Sequence, residues 1–252
     1  MQPLLTRLAT LGRFGSFAVA VAVRVPRRPL FLGETLRQLW TTSARCLLPV
    51  VAVVLPLGMV IALQGLEIFR IFGAQRMLSS LVTVAVLREL APVLASTLVA
   101  AQGGSSCAAE LGAMRIKEEL DATSVMAIDS IKLHVAPRVV ALTLACPLLY
   151  VIGAAGGLVG GYLTAVLLKG EASGVYLGNI WALSSTMDIW AGLLKTTIFG
   201  VVIGLVAAWH GFHASGGAAG VGRAVNDTVV HSVLAFITIN YLLTSALYGS
   251  PA

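Results

Sequence analysis

The sequence predicts an all-α integral membrane protein: about five transmembrane helices preceded by an N-terminal interfacial helix, with a short cytoplasmic helix between spans two and three. Three observations carry this. The 252 residues are 58% hydrophobic and only 11% charged, where a soluble domain is roughly 45–50% apolar and about 25% charged. Five segments, near 47–66, 78–101, 138–167, 188–209 and 229–248, reach the ~20 residues that a spanning helix needs. The basic residues fall on one side of these spans. With a cytoplasmic N-terminus, Arg7, Arg13, Arg24, Arg27, Arg28, Arg37, Arg45, Arg115, Lys117, Lys132, Arg138 and Arg223 lie inside, and only Arg70, Arg76 and Lys169 outside. That bias sets an N-in, C-out topology. The net charge of +6 therefore reads as topology and not as nucleic-acid binding.

The first 46 residues form a separate interfacial segment, ahead of a membrane domain over 47–252. Phe14 to Val23 is too short to span and is followed by Arg24, Arg27 and Arg28. A secretory signal would be followed by its cleavage site, so a basic helix lying in the interface fits better, with an elbow at Pro26 and Pro29. The first span holds Pro49 and Pro56 and is expected to bend.

Span two is the informative one. It carries Arg88 and Glu89 at its middle with Pro92 just behind. Each charge costs at least ~3 kcal/mol near the bilayer centre, so a polar cavity or partner helices must compensate. Span four brings Lys195 to roughly 10 Å below its outer end, while Glu89 lies roughly 16 Å below the outer end of span two. Long side chains at those depths can meet. Glu89 and Lys195 are expected to share an interior while Arg88 pairs elsewhere or grips an anionic headgroup; snorkelling of Lys195 to the interface is the plain alternative.

Between spans two and three, Glu110 to Asp121 is the most polar stretch. Arg115 with Glu119 and Lys117 with Asp121 are opposite charges at i,i+4, which supports a short exposed helix. With Leu111, Met114 and Leu120 as an apolar stripe, it reads as a solvated loop helix or as a docking helix for a cytoplasmic partner. Span three contains GxxxG spacing at Gly153, Gly157 and Gly161 and again at Gly156 and Gly160, a face for close packing within the chain or between two copies. Tyr176 and Trp181 in the outer loop read as interfacial anchors.

The loop after span four is rich in glycine, but no GxxxxGK[ST] occurs anywhere in the chain, so ATP chemistry must reside on another polypeptide. His210 and His213 lack a nearby cysteine or acidic companion for a metal. Cys46, Cys107 and Cys146 are dispersed and read as buried thiols. A membrane-embedded lipid-modifying enzyme would need a base and a nucleophile converging at one depth. His231 lies near the cytoplasmic end, however, and Glu89 and Asp188 lie toward the other side. A stand-alone secondary transporter would show internal repeats, and no convincing halves appear in the five spans.

The run from Arg88 to Leu142, RELAPVLASTLVAAQGGSSCAAELGAMRIKEELDATSVMAIDSIKLHVAPRVVAL, resembles the MlaE/YrbE permease family, with its R-E-L-G-P start, small-residue turn, A-E-L-G-x-M and late P-R. LLKTTIFG (193–200) and GGAAGVGRAVNDTVVHS (216–232) resemble two further blocks of that family. The chain departs from the pattern at Ala91 (usually glycine), at Gln102-Gly103-Gly104 (usually Gly-Arg) and at Asn240 (often Asp). The resemblance implies a non-catalytic permease subunit of an ATP-binding-cassette lipid transporter of the MCE type. It would be a multi-pass protein of the inner membrane and bind no cofactor or nucleic acid itself, with ATP and magnesium on a cytoplasmic ATPase. A second permease subunit, identical or paralogous, and MCE-domain proteins on the outer side complete the expected partners. Carried over, the substrate cavity is Arg88, Glu89, Leu90, Lys195 and Asn240. The ATPase-docking coupling helix is Glu110, Met114, Arg115, Lys117, Glu118, Glu119 and Asp121.

Overall fold

The structure is a computed structural model that describes residues 2–26 and 31–249, with the side chains of residues 2–8 and 11 left aside. Every regular element among the described residues is helical. These are α1 (Gln2–Arg24), α2 (Leu32–Ile71), α3 (Gln75–Ile116), α4 (Glu119–Val125), α5 (Ile131–Leu168), α6 (Ser173–Gly178), α7 (Thr186–Phe212) and α8 (Gly217–Tyr248). Five of them, α2, α3, α5, α7 and α8, are long and apolar enough to cross a membrane.

These helices outrun the apolar segments. The 40 residues of α2 extend to roughly 60 Å at 1.5 Å per residue, about twice the hydrocarbon thickness. Polar turns therefore continue each helix beyond the bilayer. α2 passes without a break through residue 46, so the expected boundary between the interfacial segment and the membrane domain falls inside a helix. α1 ends at Arg24 and the chain turns at Val25 and Pro26; Pro29, Arg27 and Arg28 lie outside the described residues.

Two wide, π-helical turns are placed by proline. Val86–Leu90 precedes Pro92, and Ile131–Val135 precedes Pro137. A proline offers no N–H to the carbonyl four residues back and crowds it, and a widened turn relieves both.

The glycines of span three pack within the chain. α2 and α5 run parallel, with Val50 against Gly153 and Val54 against Gly157. A Cβ on Gly58 would come 2.1 Å from the Gly157 carbonyl oxygen, and one on Gly160 would come 2.2 Å from that of Leu55. Only glycine lets these backbones touch. α7 packs antiparallel on the same helix: Gly200 lies against Leu142 and Thr143, and Gly204 against Val139. Phe199 and Phe236, both buried, join α7 to α8 with ring centroids 5.3 Å apart.

Two expectations need correction. Tyr176 is buried against Tyr162 and is not an interfacial anchor, and burial pushes its hydroxyl up to about 12; Trp181 is exposed. Nor is Glu110 to Asp121 one short helix. Its first part completes α3, the helix stops at Lys117, and Glu118 takes a left-handed conformation (φ 61°) before α4 begins. The break reverses the charge pairing that an unbroken helix would give. Arg115 meets Asp121, and Lys117 lies 4.0 Å from Glu119.

Candidate functional site

The wide turn at Val86–Leu90 presents Arg88 and Glu89 to two different neighbours. Glu89 meets Lys195 of α7, Nζ to Oε1, at 3.0 Å. The lysine side chain is 0% exposed, whereas that of Glu89 is 41% exposed. Lys195 uses all three of its protons. Besides Glu89 it donates to the Arg88 carbonyl at 2.9 Å and to Thr244 Oγ1 at 2.7 Å. The Arg88 carbonyl is the one that Pro92 cannot serve in the i→i+4 pattern, so the ammonium takes a place that the proline leaves open.

α8 closes the carboxylate from its other side. Thr244 donates to Glu89 Oε1 at 2.8 Å and Asn240 Nδ2 donates to Oε2 at 2.8 Å. Asn240 Oδ1 is buried with no hydrogen-bond partner among the described residues. Leu90 is partly buried against the core beside this cluster.

Arg88 turns toward the outer end of α7. Its Nε and Nη2 donate to the two carboxylate oxygens of Asp188 at 2.9 and 3.2 Å, a two-pronged pair. Asp188 is 2% exposed and Arg88 29%. The same aspartate accepts from the Ser185 backbone N–H at 3.0 Å, as the third residue of a capping box that starts α7. Tyr248 of α8 lies under the guanidinium, 4.3 Å from ring centroid to Cζ. Tyr150, buried between α3 and α7, donates to the Leu87 carbonyl at 3.3 Å and fills the space above Gly192.

The cluster is thus two ion pairs of net charge zero. It is buried on the α7 side and open at Glu89. The structure brings Glu89, Lys195 and Asn240 into contact and turns Arg88 to a different partner. At the sequence level Asp188 is noted without a partner, and neither Thr244 nor Tyr248 is singled out. A signal was present for each: S-x-x-D at 185–188 marks a helix start, and Asn240, Thr244 and Tyr248 recur every fourth residue on an apolar helix.

At the other end of the molecule, the residues of the expected docking helix divide. Glu110 is engaged by Arg138, whose Nε and Nη2 donate to it at 3.3 and 3.2 Å, and Met114 packs on the core. Arg115, Lys117, Glu118, Glu119 and Asp121 lie around the exposed break between α3 and α4. Leu120 anchors α4 from below, and Val125, Met126 and Ile128 are exposed just beyond it.

The family model described as Permease MlaE matches residues 35–246. A Rickettsia bellii protein named as a probable ABC transporter permease is 36% identical over 244 residues, 96% of this chain and 94% of the relative. The intermembrane phospholipid transport system permease protein MlaE of Haemophilus influenzae is 31% identical over 95% of this chain and 92% of its own length. A probable ABC transporter permease protein of Synechocystis is 34% identical over 76% of this chain and 73% of the relative.

Proposed function

The chain belongs to the MlaE permease family, and from that premise we propose that it is the membrane-spanning subunit of an ATP-driven phospholipid transporter. It is a multi-pass transporter permease; the lipid, the motor and the outer partners are the proposal. The Haemophilus relative is named for intermembrane phospholipid transport, which supports a phospholipid or related lipid moving between the cytoplasmic membrane and carriers of the outer envelope.

One observation carries this reading: Glu89 and Lys195, paired on spanning helices, with the carboxylate left open on one side. An intramembrane charge faces a bundle interior or a water-filled cavity. α8, which supplies Asn240 and Thr244 to that carboxylate, is the least buried span, and its Leu234, Ile237, Tyr241 and Leu242 are exposed. A second permease subunit placed there closes the cluster into a shared cavity that admits a lipid headgroup and its chains. Arg88 with Asp188 forms the outer rim, and Leu90 and Asn240 line the wall. MCE-domain proteins receive or deliver the lipid above that rim.

The chain contributes no nucleotide chemistry. A cytoplasmic ATPase holding ATP and magnesium docks on Arg115 to Asp121, where alternating charges and the exposed Val125 and Met126 give a partner both polar and apolar contacts. Cavity shape then follows the nucleotide state of that motor, in an inner membrane with the N-terminus cytoplasmic and the C-terminus outside.

Purified complexes carrying Glu89→Ala or Lys195→Ala test the reading. The expected result is assembly with the ATPase and loss of lipid transfer between proteoliposomes. Wild-type transfer by both variants would overturn it.

A further inference from the structure

α4 stands between two weak joints. Glu118 before it and Ala127 after it are the two non-glycine residues with positive φ among the described residues, at 61° and 59°. A helix mounted this way rocks in place when pushed unless something braces it.

The brace begins at Ser130. Its hydroxyl donates to the Leu120 carbonyl at 2.8 Å and meets the hydroxyls of Thr123 and Ser124, so α4 is fastened to the start of α5. The neighbouring Asp129 caps α5, accepting from the N–H groups of Ile131 and Lys132 at 3.1 and 3.3 Å. Its second oxygen accepts from Arg24 Nε at 2.5 Å. Arg24 sits in the last turn of α1, where a cation is favoured, and Asp129 at a helix start, where an anion is favoured. Arg24 is held from behind by its bond to the Ala20 carbonyl.

α1 then runs to the cytoplasmic end of α7. Phe17 is buried there against Trp209, Phe212 and His213, with centroids 5.5 to 5.8 Å apart, and Phe14 meets Trp209 edge-on. Ala18, Val21 and Ala22 of α1, with Val25 just beyond it, border an apolar cavity of 260 Å³ shared with Val140, Leu144 and Val201. The helix is gripped at Phe17 and at Arg24, like a strut.

We propose that α1 is a force-transmitting brace, with Arg24 and Asp129 as its positioning residues. It makes α4 rigid with the helix that carries Lys195, so that motor movement reaches the ion-pair cluster instead of being spent at Glu118 and Ala127. The proposal rests on the transporter reading and names how the docking surface is coupled to the site.

The test uses the complex with its ATPase in proteoliposomes, carrying Arg24→Glu, Asp129→Arg or both. Spin labels at Leu81 and Trp190, exposed near the outer ends of α3 and α7, report the nucleotide-driven distance change; the three native thiols are buried. Each single variant should still bind the ATPase and hydrolyse ATP. Each should lose the distance change and transfer at least ~5-fold less lipid per ATP, the low end of site-to-site coupling. The charge-swapped double variant rebuilds the ion pair but not the cap that Asp129 gives α5, and should regain part of both. Hydrolysis kept while movement is lost is what a merely structural role would not produce. Single variants that move and transfer like wild type, or a double variant that restores neither, would overturn the brace and leave the transporter reading standing. A wild-type complex with neither movement nor transfer would overturn both.

Discussion

Lys195 is a structural necessity and, on the proposed function, a functional group as well. Its ammonium is fully buried and satisfied by Glu89, Thr244 and the Arg88 carbonyl. Removing one partner of such a pair costs ~3–5 kcal/mol, whereas replacing both with apolar groups is often neutral. Glu89→Ala should therefore lower the melting temperature of the detergent-purified protein, and Glu89→Leu with Lys195→Met should recover most of it. Lipid transfer should stay absent in both, and a transferring double variant would reduce the pair to a structural role. Asp129 makes a second prediction. Burial alone would raise its carboxyl, but the hydrogen bond from Arg24 and the N–H groups of Lys132 and Ile131 hold it below its ordinary value. A group depressed in the folded state stabilises above its unfolded value, roughly 3.9, and that contribution fades as pH falls through the folded one. Asp129→Asn should flatten the decline of melting temperature in that acid range and leave its neutral-pH slope unchanged. The pairing of Glu89 with Lys195 was legible from depth alone, because two charges in apolar spans have few places to go. The partner of Arg88 was not, since Asp188 reads as the polar edge of a loop until its helix is seen to start at Thr186.

Among the elements, the contact of α2 with α5 depends on the absence of side chains. Gly58→Ala would place a methyl group 2.1 Å from a backbone oxygen that cannot move aside. Separating the helices should cost ~1–3 kcal/mol, the usual range for overpacking. Thermal unfolding in detergent checks it, with Gly156→Ala as the control, because a Cβ there would meet only Val51 at 4.0 Å. The small-residue spacing in span three was visible in the sequence, but its partner was not. GxxxG says that something comes close without saying whether it is the same chain. The break at Glu118 was equally hidden. Opposite charges at i,i+4 suit an unbroken helix, and a left-handed glutamate is set by the way the turn must meet Ser130, not by local preference.

For the molecule as a whole, the proposed function divides between two surfaces: the polar cluster at one end and an exposed, charged turn at the other. Reversing the charges of Arg115, Lys117 and Glu119 together should weaken co-purification of the ATPase while the five spans stay folded, as judged by an unchanged melting temperature. Unchanged co-purification would remove the docking role. The spans were readable because bilayer thickness leaves an apolar helix little freedom in length. The ends of the helices were not readable, because beyond the membrane no apolar run marks where a helix should stop. The glycine seams have a last consequence. Where two backbones touch there is no clearance for shear, so α2, α5 and α7 are fitted to one another as a single block. Gly211 of α7 meets the Ala108 backbone of α3 in the same bare fashion, which ties α3 to that block at the end away from the ion pairs. Glu89 and Lys195 join α3 to α7 far from that seam, so on the proposed function a change of angle between the two helices opens widest at their pair.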